Sequence, residues 1–313
     1  MDVLNTIAPV FLVILTGYIL TKKRFLSDSL VKDLNRICFW IALPALLFGK
    51  IVGSTGNFTV VMETFLVVTA GMVACLLGGF VLARLLKVPF TSVGTFVQGT
   101  YRGNLAFVGL AVIIYSLADF TPEHAQQVET LAVYVLAPIV PIYNLVAVFL
   151  LVAFRQNDNR NAALKKIPVQ LASNPLVIAC AAGFLVQRFL PSPPLAIMRT
   201  LDVLGQMALP LALLGVGGAL AHRKIAGRSL YAISASLLKT VLAPAVGLLL
   251  AHLMGLSQDE MRVALIFLAC PTAISSHTMA ERMGGDAQLS AAIVIISSLL
   301  SILSLSAILA MFY

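Results

Sequence analysis

Two short polar runs carry the residues of this chain best suited to chemistry: Arg102-Gly103-Asn104 and Cys270-Pro271-Thr272-Ala273-Ile274-Ser275-Ser276-His277. Each sits in the middle of an apolar stretch. A guanidinium offers two parallel N–H donors, a geometry that fits a carboxylate better than a point-like ammonium does. Asn104 can donate to the same carboxylate or accept from its protonated form. Thr272, Ser275 and Ser276 add short hydroxyls beside Pro271, which cannot continue a regular helix. The expected chemistry is capture of a small organic anion by Arg102, Gly103, Asn104, Pro271, Thr272, Ser275 and Ser276. Structural roles compete with it. Arg102 can bind carbonyls freed by a helix break, Asn104 can cap the broken end, and hydroxyls in apolar helices often bond within their own helix.

Further polar residues fall inside apolar stretches. Histidine is the residue type that ordinarily titrates near neutral pH, so His277 is a candidate for proton coupling, as are Lys239 and Asp202, the latter two also as a charge pair. Gln206 and Asn144 are candidates for the solute pathway, with helix–helix hydrogen bonding as the alternative. His277 and Glu281 share a helix face at i, i+4, but with no third ligand they make no metal site, and none is expected. Cys38, Cys75, Cys180 and Cys270 lie in apolar segments without paired spacing, as buried free thiols do. No nucleotide-binding loop is present, and no cofactor is expected beyond a coupling proton or sodium ion.

The elements that must position these residues are membrane spans. The chain of 313 residues is 60% hydrophobic and 11% charged, with mean hydropathy +0.99. That is roughly half the charge of a soluble domain. Apolar runs near the ~20 residues needed to cross hydrocarbon recur throughout. Breakers and charges divide the chain into ten spans near 4–21, 30–52, 61–86, 91–118, 125–154, 173–190, 196–221, 229–254, 259–282 and 286–312. The first is no cleavable leader, because its basic cluster Lys22-Lys23-Arg24 follows the apolar stretch. Fourteen Lys and Arg lie in or beside the loops after odd-numbered spans, against four (Lys50, Arg188, Arg199, Arg262) on the other side. The positive-inside rule then puts both termini outside. It also accounts for the net charge of +8 without a nucleic-acid partner.

The two halves repeat at an offset of 166 residues (175 − 9). Pro9 meets Pro175, Gly17 meets Gly183, Ala42-Leu43-Pro44 meets Ala208-Leu209-Pro210, and Leu47 meets Leu213. Five spans per half is an odd number, so the second copy inserts upside down, the inverted-repeat plan of secondary carriers. The expected organisation is a first repeat over 1–154, a cytoplasmic linker over 155–172 and a second repeat over 173–313. The same offset sets Gly103-Asn104 against Ala269-Cys270, so spans 4 and 9 are interrupted at matching places. Pro44 and Pro210 are expected to kink spans 2 and 7. Unwound backbone at membrane depth survives only where it lines a cavity or is buried in protein. Paired interruptions are therefore where a transporter's site is expected.

These residues resemble the auxin efflux carrier family, which includes plant PIN carriers and bacterial carriers often described as malonate transporters. The matching stretches are Leu34-Asn35-Arg36, Ala42-Leu43-Pro44-Ala45-Leu46-Leu47, Asn104-Leu105-Ala106-Phe107-Val108-Gly109, Ser173-Asn174-Pro175, Cys270-Pro271 and Ala280-Glu281-Arg282. They run in order along almost the whole chain. The resemblance implies a ten-helix, all-α fold related to bile-acid/sodium symporters and the antiporter NhaA, in which spans 4 and 9 cross at their broken midpoints. It also implies that the substrate's acid group sits near Asn104. Two departures set this chain apart from plant members. Arg102-Gly103-Asn104 stands where they have Leu-Pro-Asn, and their long hydrophilic loop is missing.

Together these features describe an alternating-access carrier of small mono- or dicarboxylates such as malonate in a bacterial inner membrane. Its partners are the solute and the bilayer, with a homodimer left open. Proton coupling, sodium coupling and uniport are left open too. The alternative is a membrane sensor that binds the same anion, for which an appended output domain is the expected mark; the chain's last residue, Tyr313, follows span 10. A membrane enzyme would need paired acids or metal ligands at depth, and none assemble.

Overall fold

The computed structural model describes residues 3–53, 58–155, 172–190, 193–221, 223 and 229–313. The expected linker lies outside them from 156 to 171, as do the loop cations Arg160, Lys165, Lys166, Lys224 and Arg228. Among the described residues the regular structure is helical, with no strand and one isolated β-bridge. In chain order the α-helices are α1 (Val3–Lys22), α2 (Asp28–Ile37), α3 (Leu43–Val52), α4 (Phe58–Leu85), α5 (Phe90–Tyr101), α6 (Leu110–Ser116) and α7 (Pro122–Ala153). There follow α8 (Pro175–Phe189), α9 (Leu195–Gln206), α10 (Ala208–Ala221), α11 (Ser229–Leu237), α12 (Ala243–Met254), α13 (Gln258–Ala269), α14 (Ser275–Met283) and α15 (Ala287–Leu309).

Seven helical stretches are long and apolar enough to cross a membrane: Val3–Lys22, Asp28–Val52, Val61–Leu85, Pro122–Ala153, Leu195–Ala221, Ser229–Met254 and Ala287–Leu309. They correspond to predicted spans 1, 2, 3, 5, 7, 8 and 10. The other three take different forms. Span 6 is the 15-residue α8, which rises about 22 Å. Its start is sharp because Asn174 accepts from the Leu176 N–H at 3.0 Å and Pro175 opens the first turn. Spans 4 and 9 are each interrupted. Span 4 runs as α5, a non-helical step over 102–104, a π-helical turn Leu105–Gly109 and then α6. Span 9 runs as α13, a non-helical step over 270–274 and then α14.

Two more π-helical turns, Cys38–Ala42 and Leu238–Leu242, each end two residues before a proline, Pro44 or Pro244. A proline lacks the N–H that would bond four residues back, and its ring collides with that carbonyl. Widening the preceding turn removes the collision. The Leu43 and Ala243 N–H groups accordingly reach five residues back, to the carbonyls of Cys38 and Leu238. The irregularity in span 2 thus lies just ahead of Pro44. In span 7 it lies at Met207, between α9 and α10 and three residues before Pro210.

Two compact units divide the chain, and each draws on both sequence halves. The first comprises Met1–Val61, Ala106–Pro141 and Gln170–His222. Within it α1 lies against α10 without intervening side chains at two places. A Cβ added to Gly17 would stand 2.3 Å from the Leu214 carbonyl oxygen, and one added to Gly217 would stand 1.8 Å from that of Ile14. Small residues at such places let backbones approach closely. The α3 segment packs on α8 through Ile51 and Gly183, and on α9 through Leu46 and Gly205. Lys50 pairs with Glu129 in the same unit.

The second unit comprises Met62–Leu105, Ile142–Val169 and Arg223–Tyr313. Its interior is built from α5, α11, α13 and α15, with Phe96, Val97, Leu265, Phe267 and Ile293 fully buried. Gly99 faces Ile293, Gly247 faces Leu268, and Gly79 faces Thr100. Thr100 in turn donates to the Cys75 carbonyl at 2.9 Å. All of the interrupted segment of span 9, and that of span 4 through Leu105, belongs to this unit.

Candidate functional site

The α5 helix stops at Tyr101 because Arg102 leaves helical geometry (φ −77°, ψ 89°), its N–H still bonded to Gln98 at 3.2 Å. The α13 helix stops at Ala269 because a residue before proline is pushed into extended geometry. Cys270 adopts φ −55°, ψ 147°. The two interruptions then meet. Gly103 and Thr272 form an antiparallel bridge, flanked by Asn104 N–H to Pro271 O at 2.8 Å and Ala273 N–H to Arg102 O at 2.9 Å. Thr272 is held twice more. Its N–H donates to Ser297 Oγ at 3.0 Å and its hydroxyl to Gly99 O at 2.8 Å. Four of the peptide groups released by the breaks are therefore spent on one another.

Arg102 is 5% exposed. Its guanidinium donates to Ser276 Oγ at 3.1 Å and to Asn144 Oδ1 at 2.5 Å. Both acceptors are neutral, and among the described residues no carboxylate pairs with it. A charge in an apolar interior without a counter-ion is costly. Asn104, 8% exposed, makes no side-chain hydrogen bond among the described residues, so its amide donors are unspent. Lys239 is fully buried, and its ammonium donates to the Leu268 carbonyl. It also abuts the other break: a Cβ on Gly103 would stand 3.1 Å from Lys239 Cε and 3.3 Å from Nζ. Glycine at 103 makes room for that ammonium. Two buried cations, without acid partners among the described residues, thus flank one bridge.

The structure brings together Arg102, Gly103, Asn104, Pro271, Thr272 and Ser276, and adds Asn144 and Lys239 to them. Ser275 is exposed at the first turn of α14, while its neighbour Ser276 is buried. The His277 ring bonds the Ala287 carbonyl at 3.0 Å. Asp202 and Gln206 lie in the first unit, both exposed, with the Gln206 amide donating to Asp202 at 3.1 Å.

Two residues emerge only in three dimensions. Gln98, one turn before Arg102, is fully buried with neither amide atom bonded among the described residues. The Tyr143 hydroxyl, next to Asn144, is buried and equally unpartnered. Its ring meets that of Tyr101 edge-on at 5.7 Å, and the Tyr101 hydroxyl donates to the Tyr143 carbonyl at 3.3 Å. The sequence signal for Gln98 was a polar run, Gln98-Gly99-Thr100, leading into Arg102; Tyr143 gave none, since a tyrosine in an apolar helix is unremarkable. Groups such as these cost about 1–3 kcal/mol each when left unmet.

Residues 2–309 match the family described as "Membrane transport protein". A Rhizobium meliloti protein named "Putative malonate transporter" is 24% identical, over 98% of this chain and 95% of its own length. An uncharacterized transporter of Methanocaldococcus jannaschii is 22% identical, over 96% of each chain. The chain belongs to the membrane transport protein family, that of the auxin efflux carriers its sequence resembles.

Proposed function

We propose that this protein is a secondary or facilitative carrier of small organic anions, mono- or dicarboxylates such as malonate, working by alternating access. The observation that carries the reading is the Arg102 guanidinium, buried at the bridge between two interrupted helices with no acid paired to it among the described residues. A carboxylate there would supply the missing negative charge. It would meet Arg102 and the unspent Asn104 amide, with the Ser276 hydroxyl and Asn144 amide fixing the guanidinium plane. The buried, unpartnered Gln98 and Tyr143 groups support the same reading, because a polar solute or its water would relieve them. The name of the Rhizobium meliloti relative favours malonate as the first solute to try.

In the proposed topology ten spans form two inverted repeats over 1–154 and 173–313, with α8 and the two interrupted spans completing the set. Spans 4 and 9 cross at their breaks. Both termini face outside a bacterial inner membrane, as the distribution of Lys and Arg favours. Solute gradients set the direction of net movement.

The test is counterflow. Purified protein in liposomes loaded with unlabelled malonate should accumulate external labelled malonate transiently, and protein-free liposomes should not. If folded protein gives no counterflow with any small mono- or dicarboxylate, the reading fails. A sharper expectation concerns Asn144. Asn144→Asp places a carboxylate of nearly the same shape against the guanidinium, so the site would hold its own counter-ion. The KM for malonate should rise at least about tenfold, equivalent to ~1.4 kcal/mol, whereas an unchanged KM would mean that the anion does not meet Arg102.

A further inference from the structure

We infer that Lys239 is a tethered cation that fills the seat a coupling metal ion would take at this break, leaving none for sodium. The inference deepens the carrier reading by naming what does the coupling ion's electrostatic work. The α13 helix ends at Ala269 in the interior of the second unit. The last four carbonyls of a helix have no partner within it, and they carry the negative end of its dipole. In carriers built on interrupted helices such carbonyls are where cations bind. Here two of the four are taken. Ile266 O accepts from the Cys270 N–H and thiol, both at 3.1 Å, and Leu268 O accepts from the Lys239 ammonium.

The ammonium also faces the other interruption, across the space where Gly103 has no side chain. It is held firmly. Lys239 lies in the π-helical turn Leu238–Leu242, whose Leu238 carbonyl accepts from the Cys75 thiol at 3.2 Å and whose Thr240 carbonyl accepts from the Ser304 hydroxyl. Hard metal cations favour sites rich in oxygen ligands, carboxylates among them. Among the described residues no carboxylate pairs with Lys239. One fixed positive charge on a main-chain carbonyl is what remains, and removing it would vacate a seat at a dipole's negative end.

The test follows thermal unfolding of the purified full-length protein in sodium, methylammonium or choline chloride at equal ionic strength. The wild type should unfold at one temperature in all three salts. Lys239→Gln keeps much of the side-chain volume and adds an oxygen ligand. It should unfold at least about 3 °C higher in sodium than in choline, the shift that ~2 kcal/mol gives for a chain of this size. Lys239→Ala should respond in the same sense to methylammonium, which restores the missing charge. Sodium-specific stabilisation of the wild type would overturn the inference, as would folded variants indifferent to both small cations. If neither variant folds, the wild-type comparison decides. Malonate counterflow by the wild type, measured with sodium replaced by choline, separates the two readings. Absent counterflow alongside the expected unfolding shifts would sink the carrier reading alone, and counterflow that stops without sodium would sink the tethered cation alone.

Discussion

Arg102→Ala should abolish malonate counterflow in liposomes while the protein remains folded. Truncating one side of a buried charge–charge contact costs about 2–5 kcal/mol, a loss of roughly 30- to 5,000-fold in affinity. The fold is expected to tolerate the change. The variant forfeits two hydrogen bonds, to Ser276 and Asn144, but no longer buries a guanidinium without a counter-ion. Arg102→Lys should fall between, keeping the charge and losing the two-pronged donor geometry. Thermal unfolding near the wild-type temperature, beside absent transport, is the combination to look for. Transport by Arg102→Ala at the wild-type rate and KM would reject the anion clamp.

The second large effect is on stability and arises in the first unit. Gly217→Ala would put its new methyl 1.8 Å from the Ile14 carbonyl oxygen and 2.8 Å from both that carbonyl's carbon and the Tyr18 nitrogen. The oxygen alone is roughly 1.5 Å too close for ordinary contact. All three atoms are main chain, so no rotamer change relieves the overlap, and α1 must back away from α10. Overpacking costs ~1–3 kcal/mol and occasionally more, and a collision with backbone belongs at the upper end. An unfolding temperature lower by roughly 4–6 °C is expected, or failure to yield monodisperse protein. Gly49→Ala is the control, since nothing stands within 4 Å of its added Cβ. It should be neutral or slightly stabilising through helix propensity. Equal unfolding temperatures for the two variants would contradict the α1–α10 packing described.

Much of this was legible in the sequence because the strongest signals were local. Pro271 and the Arg102-Gly103-Asn104 run break helices by their own backbone preferences, so the interruptions of spans 4 and 9 could be placed to within a few residues. The hydrophobic lengths of seven spans are equally a property of contiguous residues. Pairing was harder. Nothing in the neighbourhood of Asn144 announces that it will accept from a guanidinium 42 residues earlier. Lys239 is separated from Leu268 by 29 residues, and a lysine in an apolar helix has many equally plausible neighbours. Ser275 and Ser276 look alike in sequence. Only the start of α14 decides that one is buried on Arg102 and the other exposed. The repeat offset of 166 makes Ala269 the counterpart of Gly103 and is silent on contact, so the bridge between Gly103 and Thr272 could not be read from it.

The wide turn at Leu238–Leu242 sets the rotational phase of everything after it. Lys239 and Gly247 are eight positions apart, which in regular winding would leave them about 80° out of line. The turn absorbs one surplus residue, so the two behave as a pair seven apart, roughly 20° from alignment. Both accordingly address the same residue: the ammonium reaches the Leu268 carbonyl, and the glycine gives way to the Leu268 side chain. If the turn wound regularly with all its residues kept, as Pro244→Ala would allow, the stretch from Ala243 to Met254 would swing by about 100° relative to Lys239. A change that looks conservative along the chain would then uncouple the lysine from the helix face that clasps its partner.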